Sequence, residues 1–205
     1  MITDVLLVLE LKVRHWITGD DGGAQLAEFA ISLPLLVVFV VGIFDFSGAF
    51  TLKQKLTNVA RDAARAAAAD PANDLSSASP VSVNDAFQIV DNYLVANHLN
   101  DCGITQSTSP SGLTWTSTGT SASCPPGGVS LIINRGYYVP LTGATAASAT
   151  CTSQAPASGQ EALVATCVSI QYGYAWRFGR AANLLRQTAI LPPQITATAI
   201  ALNEN

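Results

Sequence analysis

An apolar run from Phe29 to Phe50, FAISLPLLVVFVVGIFDFSGAF, interrupted by the single acid Asp45, constrains this chain more than any other feature. As one helix it would extend roughly 33 Å at 1.5 Å per residue, which matches a bilayer hydrocarbon core of about 30 Å. A soluble helix that is apolar on every side needs a large apolar shell, and no other stretch of the chain is apolar enough to supply one. The run is therefore expected to cross a membrane once. The mean hydropathy of +0.32 and the 12% share of charged residues reflect this segment, since Ser, Thr, Ala and Gly dominate much of the chain after residue 100.

The run continues without a break into TLKQKLTNVARDAARAAAAD. Alanine is the strongest helix former, and Gly and Pro are absent from Thr51 to Asp70. Pro71 then ends the pattern, because it lacks a donor and disfavours the helical region for the residue before it. One helix from near Gly23 to Ala69 is expected, about 70 Å long, its first half in lipid and its second half projecting. No A-x-A-like site follows the apolar run, so it does not read as an ordinary secretory signal.

Two acids bracket the span. An ionised carboxylate within a bilayer costs a few kcal/mol or more unless it is paired or reaches the interface. Asp45 is near enough to the end either to snorkel or to make a helix–helix contact. Glu28, one residue before the apolar run, needs a partner of its own.

The string Gly23-Ala-Gln-Leu-Ala-Glu28 ahead of an apolar run resembles a prepilin peptidase site, with a glycine before the cut and a glutamate fifth after it. The longer string GAQLAEFAISLPLLVVFVVGIFDFSGAF, with NVARDAARAAAA behind it, resembles the TadE-like family of pilus-assembly proteins. Gly23, Glu28, Phe29, Pro34, Gly42, Asp45 and the Ala-Arg repeat at 60–66 carry the likeness. VSIQYGYAW and the closing ITATAIALNEN resemble the family more weakly. The resemblance implies a minor pilin or pseudopilin of the tight-adherence (Flp) pilus system, sitting in the bacterial inner membrane or in the fibre. Its implied partners are a prepilin peptidase, other pilin-like subunits, the assembly machinery and the lipid bilayer. A cut between Gly23 and Ala24 would place a new α-ammonium four residues before Glu28, whose carboxylate could offset that charge on a neighbouring subunit. The leader carries Asp20 and Asp21 beside the cut, where a prepilin leader is basic, so an uncleaved anchor bearing an extracytoplasmic binding module is the alternative.

Lys53, Lys55, Arg61 and Arg65 follow the span and outnumber Lys12 and Arg14 before it, a bias that by itself would leave the C-terminal part in the cytoplasm. Long domains translocate largely regardless of flanking charge. Cys102, Cys124, Cys151 and Cys167 all lie beyond the span at no C-x-x-C spacing, which favours disulfides in an oxidising compartment. Three pairings are possible. The C-terminal domain is accordingly read as extracytoplasmic.

The organisation that follows is a leader over 1–23, the helix over 24–70 with its span at 29–50, a linker over 71–81 and an α+β domain over 82–205. Ser82 followed by Asp85 resembles a capping box, and Val83, Phe87, Val90 and Leu94 share one face of a second, amphipathic helix over about 82–99. Period-2 alternation then marks strands at 129–134, 164–174 and 195–202, with a fainter one at 113–118. A short helix is expected between Arg177 and Ile190. The class is α+β with an antiparallel sheet, pilin-like in outline.

No catalytic constellation emerges. His15 belongs to the leader and His98 stands alone; no G-x-S-x-G, Walker A or H-E-x-x-H string occurs, and nothing points to a metal or cofactor. A net charge of −4 offers no basic footprint for nucleic acid. Trp115, Trp176, Tyr137, Tyr138, Tyr172 and Tyr174 are read as packing or as an aromatic recognition patch, and Arg177, Arg180 and Arg186 as a solvated basic face or a contact with an acidic neighbour. Ala60, Ala63, Ala64 and Ala67 are small enough to let neighbouring helices approach closely.

Overall fold

The computed structural model describes residues 21–105, 110–141, 148–178 and 191–204. They divide into two compact units: residues 21–45 with Arg177 and Phe178, and residues 46–176 with the C-terminal strand. Most of the expected leader and of the expected helix between Arg177 and Ile190 lies outside the described residues, as do Arg180 and Arg186.

Helix α1 runs Asp21–Ala69 with Pro34 inside it, and helix α2 runs Val81–Ala96. Four strands follow: β1 Thr114–Gly119, β2 Val129–Pro140, β3 Ala162–Gly173 and β4 Gln194–Leu202. They form one antiparallel sheet in the order β1-β2-β3-β4. The class is α+β as the sequence predicts, and every expected strand is present.

Two helix ends differ from expectation. Ser82 does not cap α2: its side chain is buried with Oγ unpartnered, and Pro80 occupies the cap position at φ −62°. The carboxylate of Asp74, in the linker, accepts the Val81 N–H at 2.6 Å instead. At the other end, His98 takes φ +56°, its N–H donates to Val95 O and the Leu99 N–H donates to Leu94 O. That pair of bonds is a Schellman motif, which closes α2 at Ala96, short of the expected Leu99.

The core lies between the helices and one face of the sheet. Leu56, Val59, Ala63 and Ala64 of α1 and Val83, Val90 and Leu94 of α2 meet Leu131, Ile133, Val168, Ile170 and Ala197. The second half of α1 is thus a core element of the compact unit that begins at Phe46. Trp115 is fully buried and donates Nε1–H to Ala78 O at 3.0 Å, tying the linker down. On the sheet's other face, the segment after β2 folds back: Asn134 donates to Cys151 O and Ser169 to Ala149 O. β3 is therefore covered on both faces, in keeping with its almost unbroken burial from Ala165 to Ile170.

All four cysteines are paired, Cys102 with Cys124 and Cys151 with Cys167. The first ties the segment after α2 to the β1–β2 connection, and the second fastens the returning segment to β3.

At the C-terminal end of α1 the sheet supplies a clasp that the sequence did not announce. The register of β2 against β3 slips between Asn134 and Tyr137, so Arg135 and Gly136 form a bulge. A bulge re-aims a side chain. Here the Arg135 guanidinium, 1% exposed, turns to the end of the helix. Its Nη1 donates to Ala67 O, to Thr166 Oγ1 at 2.8 Å and to Asn203 Oδ1 at 3.3 Å, while Nη2 donates to Asp70 O at 2.9 Å. Asn203 returns a bond from Nδ2 to Arg135 O, and the Glu204 N–H donates to Ala68 O. The last carbonyls of a helix lack partners within it and carry its negative dipole end, so a cation there is doubly favoured. Burial lowers the pKa of Arg135, and the nearby Asp70 and Asp74 carboxylates oppose that shift.

Candidate membrane anchor and assembly helix

The first half of α1 leaves most of its apolar side chains exposed, while one stripe through Val38, Gly42 and Asp45 is covered. Ile31 is 79% exposed, Phe39 62% and Phe44 74%, with Phe29, Leu36, Ile43 and Phe50 also largely free. Its most apolar 18-residue stretch has a mean hydropathy of 2.4 and is only 11% buried within the protein. Water would penalise each of these side chains by roughly 1.5–3 kcal/mol relative to an apolar surrounding. An α-helix satisfies its own backbone, as hydrocarbon demands. Pro34 removes one donor from the ladder, and Ser32 Oγ bonds Phe29 O nearby at 3.2 Å. Among the described residues this is the single helix long and apolar enough to cross a membrane, a single-pass anchor carrying a C-terminal domain.

The charged positions are placed as follows. Gly23 lies exposed in the first turn of the helix, with open space where a Cβ would stand, and the backbone of Ala24 continues that turn. Glu28 is exposed one turn later, and no hydrogen bond reaches it from the described residues. Asp45 is buried, and its Oδ2 accepts the backbone N–H groups of Arg177 at 2.7 Å and Phe178 at 2.8 Å. Bonds to a carboxylate are among the stronger hydrogen bonds. The Phe178 ring lies against Gly42, where an added Cβ would meet it at 3.0 Å. Both bonds come from a segment of its own chain.

The TadE-like protein family model matches residues 23–65. The matched stretch opens at Gly23, takes in Glu28, the whole exposed apolar run and Asp45, and ends inside the core-forming half of α1. The match covers less than half of the chain, and it is the apolar helix that is similar to TadE-like proteins. No curated protein and no solved structure matches the chain.

Beyond Phe50 the TadE-like segment changes character. Leu52, Leu56 and Val59 turn into the core while Lys53, Arg61 and Arg65 stay exposed, and Lys53 Nζ donates to Thr196 O on β4. Ala60, Ala63, Ala64 and Ala67 are all completely buried within the chain's own core. They therefore do not offer the helix–helix surface that their size suggested. The alanines admit the sheet and α2 instead.

The aromatic residues divide into two groups. Trp115, Tyr137 and Tyr172 are buried as packing. Tyr174 and Trp176 stand partly exposed just after β3, with ring centroids 4.8 Å apart, and Trp176 also lies 5.3 Å from Phe46 on the helix. The Phe46 contact was not legible in the sequence, nor was the use of the Arg177 and Phe178 amides. Among the described residues no group of three or more His, Cys, Asp or Glu side chains could hold a metal ion. His98 is exposed and serves as the left-handed residue ending α2. An open cavity of about 830 Å³ adjoins the β2–β3 connection, lined in part by Tyr137, Tyr138, Gln154 and Glu161.

Proposed function

We propose that this chain is a minor pilin or pseudopilin that takes part in assembly of a tight-adherence (Flp) pilus. The helix over 29–50 holds it in the bacterial inner membrane, with the disulfide-bonded domain outside the cytoplasm. One observation carries the reading: the TadE-like match falls on a helix whose first half is apolar and exposed, with Glu28 at its entry. A prepilin peptidase would cut between Gly23 and Ala24. The new ammonium on Ala24 of one subunit and Glu28 of its neighbour would then neutralise each other at the membrane boundary. Because the alanine stripe is occupied, lateral association would use the Leu, Val and Phe side chains of the span, held by close packing rather than by water exclusion.

The test is the mass of the mature protein from its native membrane. A chain beginning at Ala24 supports processing as a pilin, and a chain retaining Met1 overturns it. Asp20 and Asp21 beside the cut favour a second reading, an uncleaved anchor displaying a binding module. That reading predicts the intact leader and no pilin-like subunits in the purified complex.

A further inference from the structure

We propose that Phe46, Tyr174 and Trp176 form a lipid-contact site that marks the membrane surface on the helix, its partner being the headgroup–acyl boundary of the bilayer. The proposal rests on the membrane-anchor reading and adds to it a place where the bilayer ends. Three observations converge on this level of α1. First, the helix changes solvent here: Phe46 and Phe50 are 50% and 64% exposed, whereas Leu52 is buried in the core and Lys53 bonds a strand carbonyl. Second, the two rings that follow β3 pack together at this step, Trp176 tilted against Phe46 of the helix and Tyr174 edge-on to Trp176. Gly48 makes room for them, since a Cβ there would stand 2.8 Å from the Tyr174 hydroxyl. Third, the rings have polar ends: Trp176 donates Nε1–H to Pro192 O at 2.6 Å, so its apolar edge can face acyl chains without an unpaired donor. Trp and Tyr favour the headgroup level because one end of each ring is apolar and the other polar.

The experiment uses the full-length chain in vesicles of phosphatidylcholine and phosphatidylglycerol that carry bromine either near the headgroup or near the bilayer centre. Subtracting the emission of Trp176→Phe from that of the parent isolates Trp176 from Trp16 and Trp115. The expected result is quenching about twofold stronger by shallow than by deep bromine, with little quenching by aqueous iodide. Three results overturn the proposal: stronger deep quenching, free access to iodide, or shielding from both lipid and iodide, the last of which assigns the rings to a protein contact. Flotation of the same vesicles at alkaline pH reads the anchor separately. Loss of flotation defeats the membrane reading itself, whereas flotation without shallow quenching defeats this site alone. If Trp176→Phe lost the two native disulfides, Trp176→Tyr would take its place in the subtraction.

Discussion

Replacing Arg135 by Met should cost far more stability than a strand substitution ordinarily does. The guanidinium donates to Ala67 O in the last turn of α1, to Asp70 O just past its end, and to Thr166 and Asn203. A hydrogen bond from a charged donor contributes about 1.5–3 kcal/mol, though bonds sharing one group do not add. Against this stand the desolvation of a buried cation and an Nε that has no partner. Met fills similar volume but leaves the helix carbonyls buried without donors, so the expected loss is roughly 3–5 kcal/mol, as when one member of a buried charged contact is removed. That is a large part of the roughly 5–15 kcal/mol that holds an ordinary domain together. Arg135→Lys should fall between parent and Met, because a single ammonium cannot reach all four acceptors. Urea unfolding of the oxidised full-length chain in detergent, followed by emission of the buried Trp115, measures both losses. An Arg135→Met chain within about 1 kcal/mol of the parent would show that the clasp does not hold the helix end.

Three further outcomes are expected. Non-reducing peptide mapping should recover Cys102 with Cys124 and Cys151 with Cys167, and the Cys102→Ser/Cys124→Ser chain should lose about 3 kcal/mol from closure of a loop of this length; crossed pairs would contradict the fold. Burial, and secondarily Asp101, raises the pKa of Asp91 above the ordinary 3.8, so the folded state holds more protons than the unfolded state in the window just above that value. Stability from this group therefore falls as pH rises through the window, and Asp91→Asn should be more stable than the parent at pH 7 by a margin that vanishes on acidification; a margin independent of pH would refute the assignment. Glu28→Ala should insert into membranes normally yet recover several-fold less of its partner helices on co-purification, and equal recovery would refute the charge-pairing account.

Much of the architecture could be read from periodicity, because it is written locally. The apolar run, the Ala-rich continuation, Pro71 and the alternation from Val164 to Tyr174 each fix an element through neighbours in sequence. What escaped was set by distant partners. Asp74 caps α2 from the linker, and the Asp45 carboxylate takes amides 132 and 133 residues away. Alanines at 60, 63, 64 and 67 suit a helix–helix seam and a helix–sheet core equally, so only the tertiary partner decides between them. Arg135 left a faint signal, an Arg-Gly pair inside the β-branched run IINRGYYV, where a buried charge beside a glycine marks a bulge. The proposed processing residues Gly23, Ala24 and Glu28 rest on spacing and resemblance alone, with no contact from the same chain to read them by.

The merging of anchor and core in one helix bears on how such proteins can diversify. The segment matched by the family model stops at residue 65, partway along the alanines that pack beneath the sheet. It is therefore not a detachable cassette: half of it is useless without a trough to lie in. Any C-terminal domain joined to such a segment must rebuild that trough, with small clearance over the alanines and a donor for the helix's final carbonyls. Surface loops remain free to vary, the β2–β3 connection among them. Swapping whole domains behind the anchor should thus succeed only when the exchange is made before Phe46, carrying the second half of the helix along with its own sheet.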